Sequence, residues 1–178
     1  MINNKRFLSF LSKLAEVYPI GHVKYAPGTL ASIVAIIFGY YILIFFNIKF
    51  FLLFVFFFII LSYFLCEAHI RVYNKKDPKE IVVDEFGGQF IALLGIIDSN
   101  NINHILISLL LSFFLFRFFD ITKLGPIKRF EKLPGGFGIL ADDLVAGLFA
   151  FLIQAAILTS LDQPLIIKTL WAKNVGKN

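Results

Sequence analysis

LASIVAIIFGYYILIFFNIKFFLLFVFFFIILSYFLC, residues 30–66, decides the fold of this chain. Its first 17 residues, 30–46, carry no charge, and after a tight connection at 47–49 a second uncharged run of 17 occupies 50–66. A bilayer-crossing helix needs about 20 apolar residues, with roughly 17 as the lower end. Two spanning helices are therefore expected here. The whole chain agrees: of 178 residues, 58% are hydrophobic and only 16% charged, and the mean hydropathy is +0.81. That is far outside the range of a soluble domain. Twenty-three Phe against one Trp read as lipid-facing bulk. The lone Cys66 excludes an intramolecular disulfide and a thiolate metal cluster. In so apolar a chain the net charge of +5 reads as topology and contact with anionic headgroups, with no nucleic-acid partner expected.

Outward from that stretch, residues 1–29 hold Lys5, Arg6, Lys13 and Lys24 among Phe7, Leu8, Phe10, Leu11 and Leu14 at helical spacing, which predicts an amphipathic interfacial helix. Lys5 and Arg6 lead into no long apolar core, so no cleavable signal peptide is expected. Pro27-Gly28-Thr29 breaks the chain before the first span. On the C-terminal side, residues 67–79 form a charged loop and 86–97 a short third apolar segment, either the end of a span or a re-entrant piece, with the span preferred. Residues 102–119 form a fourth helix, 121–143 a basic loop, and 144–161 a fifth span followed by a tail at 162–178. The expectation is an all-α, polytopic membrane bundle of about five hydrophobic helices.

Lys and Arg accumulate on the cytoplasmic side. With the N-terminus inside, 13 of the 17 Lys and Arg lie there, and Lys49, Lys168, Lys173 and Lys177 lie outside. The same topology gathers every unusual polar motif at one membrane face: Gly28-Thr29, Asp84-Glu85, Arg117 with Asp120, and Asp142-Asp143. Asp98 and Asp162 fall on the other.

IVVDEFGGQ, residues 81–89, places two adjacent carboxylates at the mouth of an apolar segment. A charge that reaches mid-bilayer costs roughly 2.5–3.5 kcal/mol, so such a pair has a partner or a task. A lone interfacial acid is explained well enough by a helix dipole or a nearby lysine. Five acids restricted to helix ends on one face, Asp84, Glu85, Asp120, Asp142 and Asp143, point to a metal site. Oxygen-only ligands favour a hard cation, and Mg²⁺ held by carboxylates, water and a substrate phosphate fits best.

Arg117 and Asp120, three apart, share a helix face, as a local salt bridge or as a phosphate-holding guanidinium beside a metal-binding acid. Arg117 is the one basic residue inside a long apolar run, which tilts the reading to function. Lys123 lies three residues beyond Asp120. Gly135-Gly136-Phe137-Gly138 runs toward Asp142-Asp143 and can present backbone N–H groups to phosphate, or simply make a turn. Asp84 to Gly88 and Asp143 to Gly147 repeat an acid followed four residues later by glycine, a match near what chance supplies, which would allow close helix packing below each acid. His22, His69 and His104 read as surface or interfacial residues, with only His22 near the proposed site.

Taken in order, PGT at 27–29, IVVDEFGGQ at 81–89, FRFFDITKLGPI at 116–127 and GGFGILADDLVAG at 135–147 resemble the phosphatidylglycerophosphatase A family over roughly residues 25–160. Leu124-Gly125 and Ala31 depart from the family's usual residues in ways that touch loop geometry more than chemistry. The resemblance implies a small polytopic phosphatase of the bacterial inner membrane. It implies Mg²⁺ dependence and removal of the terminal phosphate of phosphatidylglycerophosphate to give phosphatidylglycerol. The expected organisation is an interfacial segment at 1–29, a membrane-embedded phosphatase domain at 30–161 and a tail at 162–178.

The expected catalytic residues are Asp84, Glu85, Arg117 and Asp120. Thr29, Arg117, Lys123, Gly135, Gly136 and Gly138 are expected to bind substrate, and all five acids to bind metal. The rival reading is a small transporter or channel subunit that uses the acids for cations. It fits less well, because the acids cluster at one face and the first two spans are almost wholly apolar.

Overall fold

The computed structural model describes residues 2–74, 78–96 and 101–161. Its helices are α1 (Ile2–Ala15), α2 (Pro27–Phe45), α3 (Ile48–Tyr73), α4 (Val83–Ala92), α5 (Ile102–Thr122), α6 (Ile127–Phe130) and α7 (Gly135–Ser160). Four of them, α2, α3, α5 and α7, are long and apolar enough to cross a membrane. Their ends follow local chemistry. Pro27 occupies the first turn of α2, where its missing N–H is no loss. The Asn47 side chain caps α3 by accepting from Phe50 N at 3.0 Å. Asn74 and Lys123, both left-handed, stop α3 and α5.

Three boundaries differ from the sequence reading. The charged stretch after residue 66 begins as helix, because α3 runs on to Tyr73 with Glu67 and Arg71 paired one turn apart at 3.0 Å. The glycine-rich stretch 135–138 is the first turn of α7, so Asp142 and Asp143 sit about two turns inside that helix instead of opening it. The third apolar segment forms a helix of 10 residues and then a 3₁₀ turn at Leu93–Gly95. Ten residues reach only about 15 Å, so α4 does not cross a bilayer as a helix. Lys75, Lys76, Asp98, Asp162 and the tail at 162–178 lie outside the described residues.

α4 is the buried axis of the bundle and contacts α2, α3, α5 and α7. Phe90, fully buried, meets the rings of Phe51, Phe54, Phe58 and Phe86 with centroids 5.1–6.1 Å apart. Further from the site, polar groups tie helices together. Gln89 Nε2 donates to Ser112 Oγ at 3.1 Å, and Gln154 Nε2 donates to the carbonyls of Gly95 and Ser108 at 2.9 and 3.0 Å. By contrast Phe45, Phe50, Phe56, Phe57 and Phe64 face outward, the lipid-facing bulk that the composition predicts.

The short acid-to-glycine repeat has a structural meaning. A Cβ on Gly147 would strike the Gly88 carbonyl, and one on Gly88 would strike the Phe116 ring and come within 2.5 Å of the Asp143 carbonyl. The backbones of α4 and α7 therefore touch one turn below Asp84 and Asp143. α1 lies against α3 through Leu11, Ser12 and Ala15, with Phe7, Phe10 and Leu14 turned outward.

Candidate active site

The N-terminal ends of α2, α4 and α7 and the C-terminal ends of α3 and α5 meet at one end of the bundle, around a cavity of about 590 Å³. Asp84, Glu85, Arg117, Asp120, Lys123, Asp142 and Asp143 line it together. Pairwise packing puts them there. The Gly88–Gly147 contact brings Asp84 beside Asp143, and Gly28 leaves room at the start of α2 where a Cβ would strike the Glu85 carboxylate.

The seven groups form two sets that share Asp143. Lys123 Nζ donates to Asp142 Oδ2 at 2.6 Å, Asp120 Oδ1 at 2.8 Å and Asp143 Oδ1 at 3.2 Å. Arg117 Nη1 lies 2.5 Å from Asp120 Oδ2. The local ion pair read from the 117/120 spacing thus exists, and it faces the cavity. Burial by itself would lower the Lys123 pKa, but the charges of Asp143, Asp120 and Asp142 outweigh it and hold the ammonium above its ordinary value.

The second set is Asp84, Glu85 and Asp143, each offering an oxygen within 4.8 Å of the others. Asp84 Oδ1 and Glu85 Oε2 are buried without a hydrogen-bond partner, as are Asp142 Oδ1 and Arg117 Nε. Buried polar atoms left in this state are costly, and on a cavity wall they are open to an ion, a water or a ligand. An all-oxygen donor set of this kind suits a hard cation.

The other candidates fall differently. Gly135 and Gly138 line the cavity and Thr29 and Gly136 do not. The Gly136 N–H already donates to Glu67 Oε2 at 3.1 Å, which fixes the start of α7 on the end of α3. Sequence reasoning missed Glu67 in this role because it reads as a loop residue. It also passed over Lys79, Glu131 and Lys132 on the cavity wall, whose only signal was their place in basic loops. His69, expected near the surface, is 2% exposed between α1 and α3. His22 pairs with Glu16 at 2.7 Å.

Fold and site define the class: a polytopic helical membrane protein with an acidic, oxygen-rich cavity at one end of its bundle. The family model described as Phosphatidylglycerophosphatase A matches residues 13–158. Phosphatidylglycerophosphatase A of Haemophilus influenzae is 39% identical over 145 residues, covering 81% of this chain and 86% of its own. The protein of the same name from Escherichia coli K12 is 32% identical over 138 residues, 77% of each chain. No solved structure matches. The chain belongs to the phosphatidylglycerophosphatase A family, and it is a phosphatase.

Proposed function

We propose that this chain hydrolyses the terminal phosphomonoester of phosphatidylglycerophosphate, giving phosphatidylglycerol and phosphate, with Mg²⁺ in the cavity described above. Family membership supports the reaction. The carrying observation is the set of partnerless carboxylate oxygens on Asp84 and Glu85 beside the partnerless Arg117 Nε. Six carboxylates and four basic groups line the cavity, so acid outnumbers base there. A phosphate dianion would be repelled from such a cavity unless a cation accompanied it.

Asp84, Glu85 and Asp143 would hold the metal, while Asp120 and Asp142 hold the bases. This narrows the five-acid metal set of the sequence reading to three. Bound there, Mg²⁺ supplies positive charge to the transferring phosphoryl group. Arg117 donates to the phosphate oxygens from its buried position. Lys123, kept charged by its three carboxylates, adds a second positive group. One cavity carboxylate takes a proton from the attacking water as the new P–O bond forms and the bond to the glycerol oxygen breaks. The departing oxygen takes up a proton, which the cavity carboxylate returns after receiving it from the water, and leaves as the free hydroxyl of phosphatidylglycerol.

The setting is a bacterial inner membrane with the cavity at the cytoplasmic face. In support, Lys24, Arg71, Lys79, Lys123, Lys128, Arg129 and Lys132 flank the site ends of the helices, and Lys49 begins α3 at the other end. α1 would lie in the headgroup layer with Phe7, Phe10 and Leu14 toward lipid.

The test is phosphate release from phosphatidylglycerophosphate by purified protein in detergent, with and without Mg²⁺. Metal-dependent release that disappears in Asp84→Asn is expected. A folded wild-type protein that releases none across several divalent ions would overturn the reading. Acid-quenched turnover should leave no labelled phosphate on the protein, and retained label would replace the attacking water with an aspartate nucleophile.

A further inference from the structure

Outside the cavity, a second polar cluster is buried where α1 meets α3. Glu16, 4% exposed, sits just after the end of α1 with Oε2 2.7 Å from His22 Nε2 and Oε1 3.5 Å from His69 Nδ1. His69, on α3, also has its Nδ1 3.0 Å from Ser12 Oγ, and Ser12 is fully buried. A nucleophilic relay would need the two ring nitrogens to serve different partners. Here both Ser12 and Glu16 approach Nδ1, so the cluster is a clamp and not a second catalytic site.

The clamp closes on the connecting segment that leads into α4. Ala15 O, one residue before Glu16, accepts from Val82 N at 3.1 Å. The Glu16 carbonyl accepts from Gly21 N at 2.9 Å. Gly21 itself is pressed so closely against the Glu80 carbonyl that a Cβ would strike it. Ala15 packs in one cluster with Ile81 and Val83. The chain at 80–83 is thus held from the α1 side, and the next two residues are Asp84 and Glu85.

We propose that Glu16, clamped by His69 and His22, is a positioning residue for Asp84 and Glu85. It fixes the end of α1, and through Ala15 and Gly21 it fixes the segment from which α4 and its two carboxylates start. A misplacement of about 1 Å in a reacting constellation can cost ~100-fold in rate. A buried carboxyl with two histidine partners is a stiff means of preventing that, because removing the carboxylate takes away the ion-pair partner of both rings and leaves His69 to Ser12. The inference rests on the phosphatase reading of the cavity.

The test compares wild-type with Glu16→Gln, which keeps the shape and changes the pairing. Expected are about tenfold weaker Mn²⁺ binding by electron paramagnetic resonance, about tenfold faster hydrogen exchange at the Val82 amide, and kcat lowered with KM for the lipid within twofold. Leu158→Ala, at the far end of α7, serves as a control for lost stability: it should lower Tm without moving Mn²⁺ affinity. His22→Gln alters the half-exposed partner, and should shift the same readouts about threefold if Glu16→Gln does not fold. Unchanged Mn²⁺ affinity and unchanged Val82 exchange in a folded variant with lowered Tm would overturn the positioning role. An inactive, folded wild-type protein would instead count against the phosphatase reading.

Discussion

The α4–α7 pair and α3 are both apolar, but they are packed by opposite rules. Half of the most apolar stretch of α7 is buried inside the protein, against 28% for α3. Where α4 meets α7 the contact is glycine on backbone, and where α3 meets its surroundings a row of phenylalanines points outward. In lipid there is no hydrophobic gain from bringing two helices together, so close contact must come from small residues and polar ties. Four of the five acids, Asp84, Glu85, Asp142 and Asp143, are attached to the close-packed pair, and the bulky helix turns Phe50, Phe56, Phe57 and Phe64 outward. Precision in this molecule is supplied where side chains are absent.

That contrast can be broken most sharply at the acids. Asp143→Asn removes one of the three converging carboxylates and should lower kcat by at least about 1000-fold while the protein stays folded, checked by phosphate release and thermal melting. Next comes the seam itself. Gly147→Leu drives a side chain into the Gly88 carbonyl, and overpacking of this kind costs typically about 1–3 kcal/mol. It should lower both Tm and activity, and an unaffected Gly147→Leu protein would show that α4 and α7 are not in contact. Lys123→Met should reduce kcat about 100-fold, because Asp120, Asp142 and Asp143 then lose their shared cation. Last, Phe57→Leu on the lipid side of α3 should change stability by less than about 0.5 kcal/mol and leave turnover as it was.

Hydropathy located α2, α3 and α5 to within a few residues at most ends because their apolar runs are long and uninterrupted. It failed at the ends that project beyond the apolar layer. Glu67 and Arg71 extend α3 through a mutual ion pair, and Gly135 and Gly136 start α7 because Glu67 is there to receive an amide. The first reason is local, a pair one turn apart that hydropathy does not weigh, whereas the second depends on another helix and is not visible in a local window.

The acids were legible because charge beside apolar sequence is rare. How they divide was not, because Lys123 meets two of its three partners, Asp142 and Asp143, only once α5 and α7 are side by side. His69 escaped for the same reason: its partners, Ser12 and Glu16, are more than 50 residues away in the chain.

The enclosure of α4 also separates two lengths. α2, α3, α5 and α7 are 19, 26, 21 and 26 residues long, and these helices must answer to the thickness of the hydrocarbon layer. α4, with eight of its ten residues buried, meets the bilayer hardly at all and is sized by its neighbours alone. Hydrophobic mismatch would therefore be absorbed as tilt in the outer helices. The depth of Asp84 relative to Asp143 would stay fixed in membranes thicker or thinner than its own.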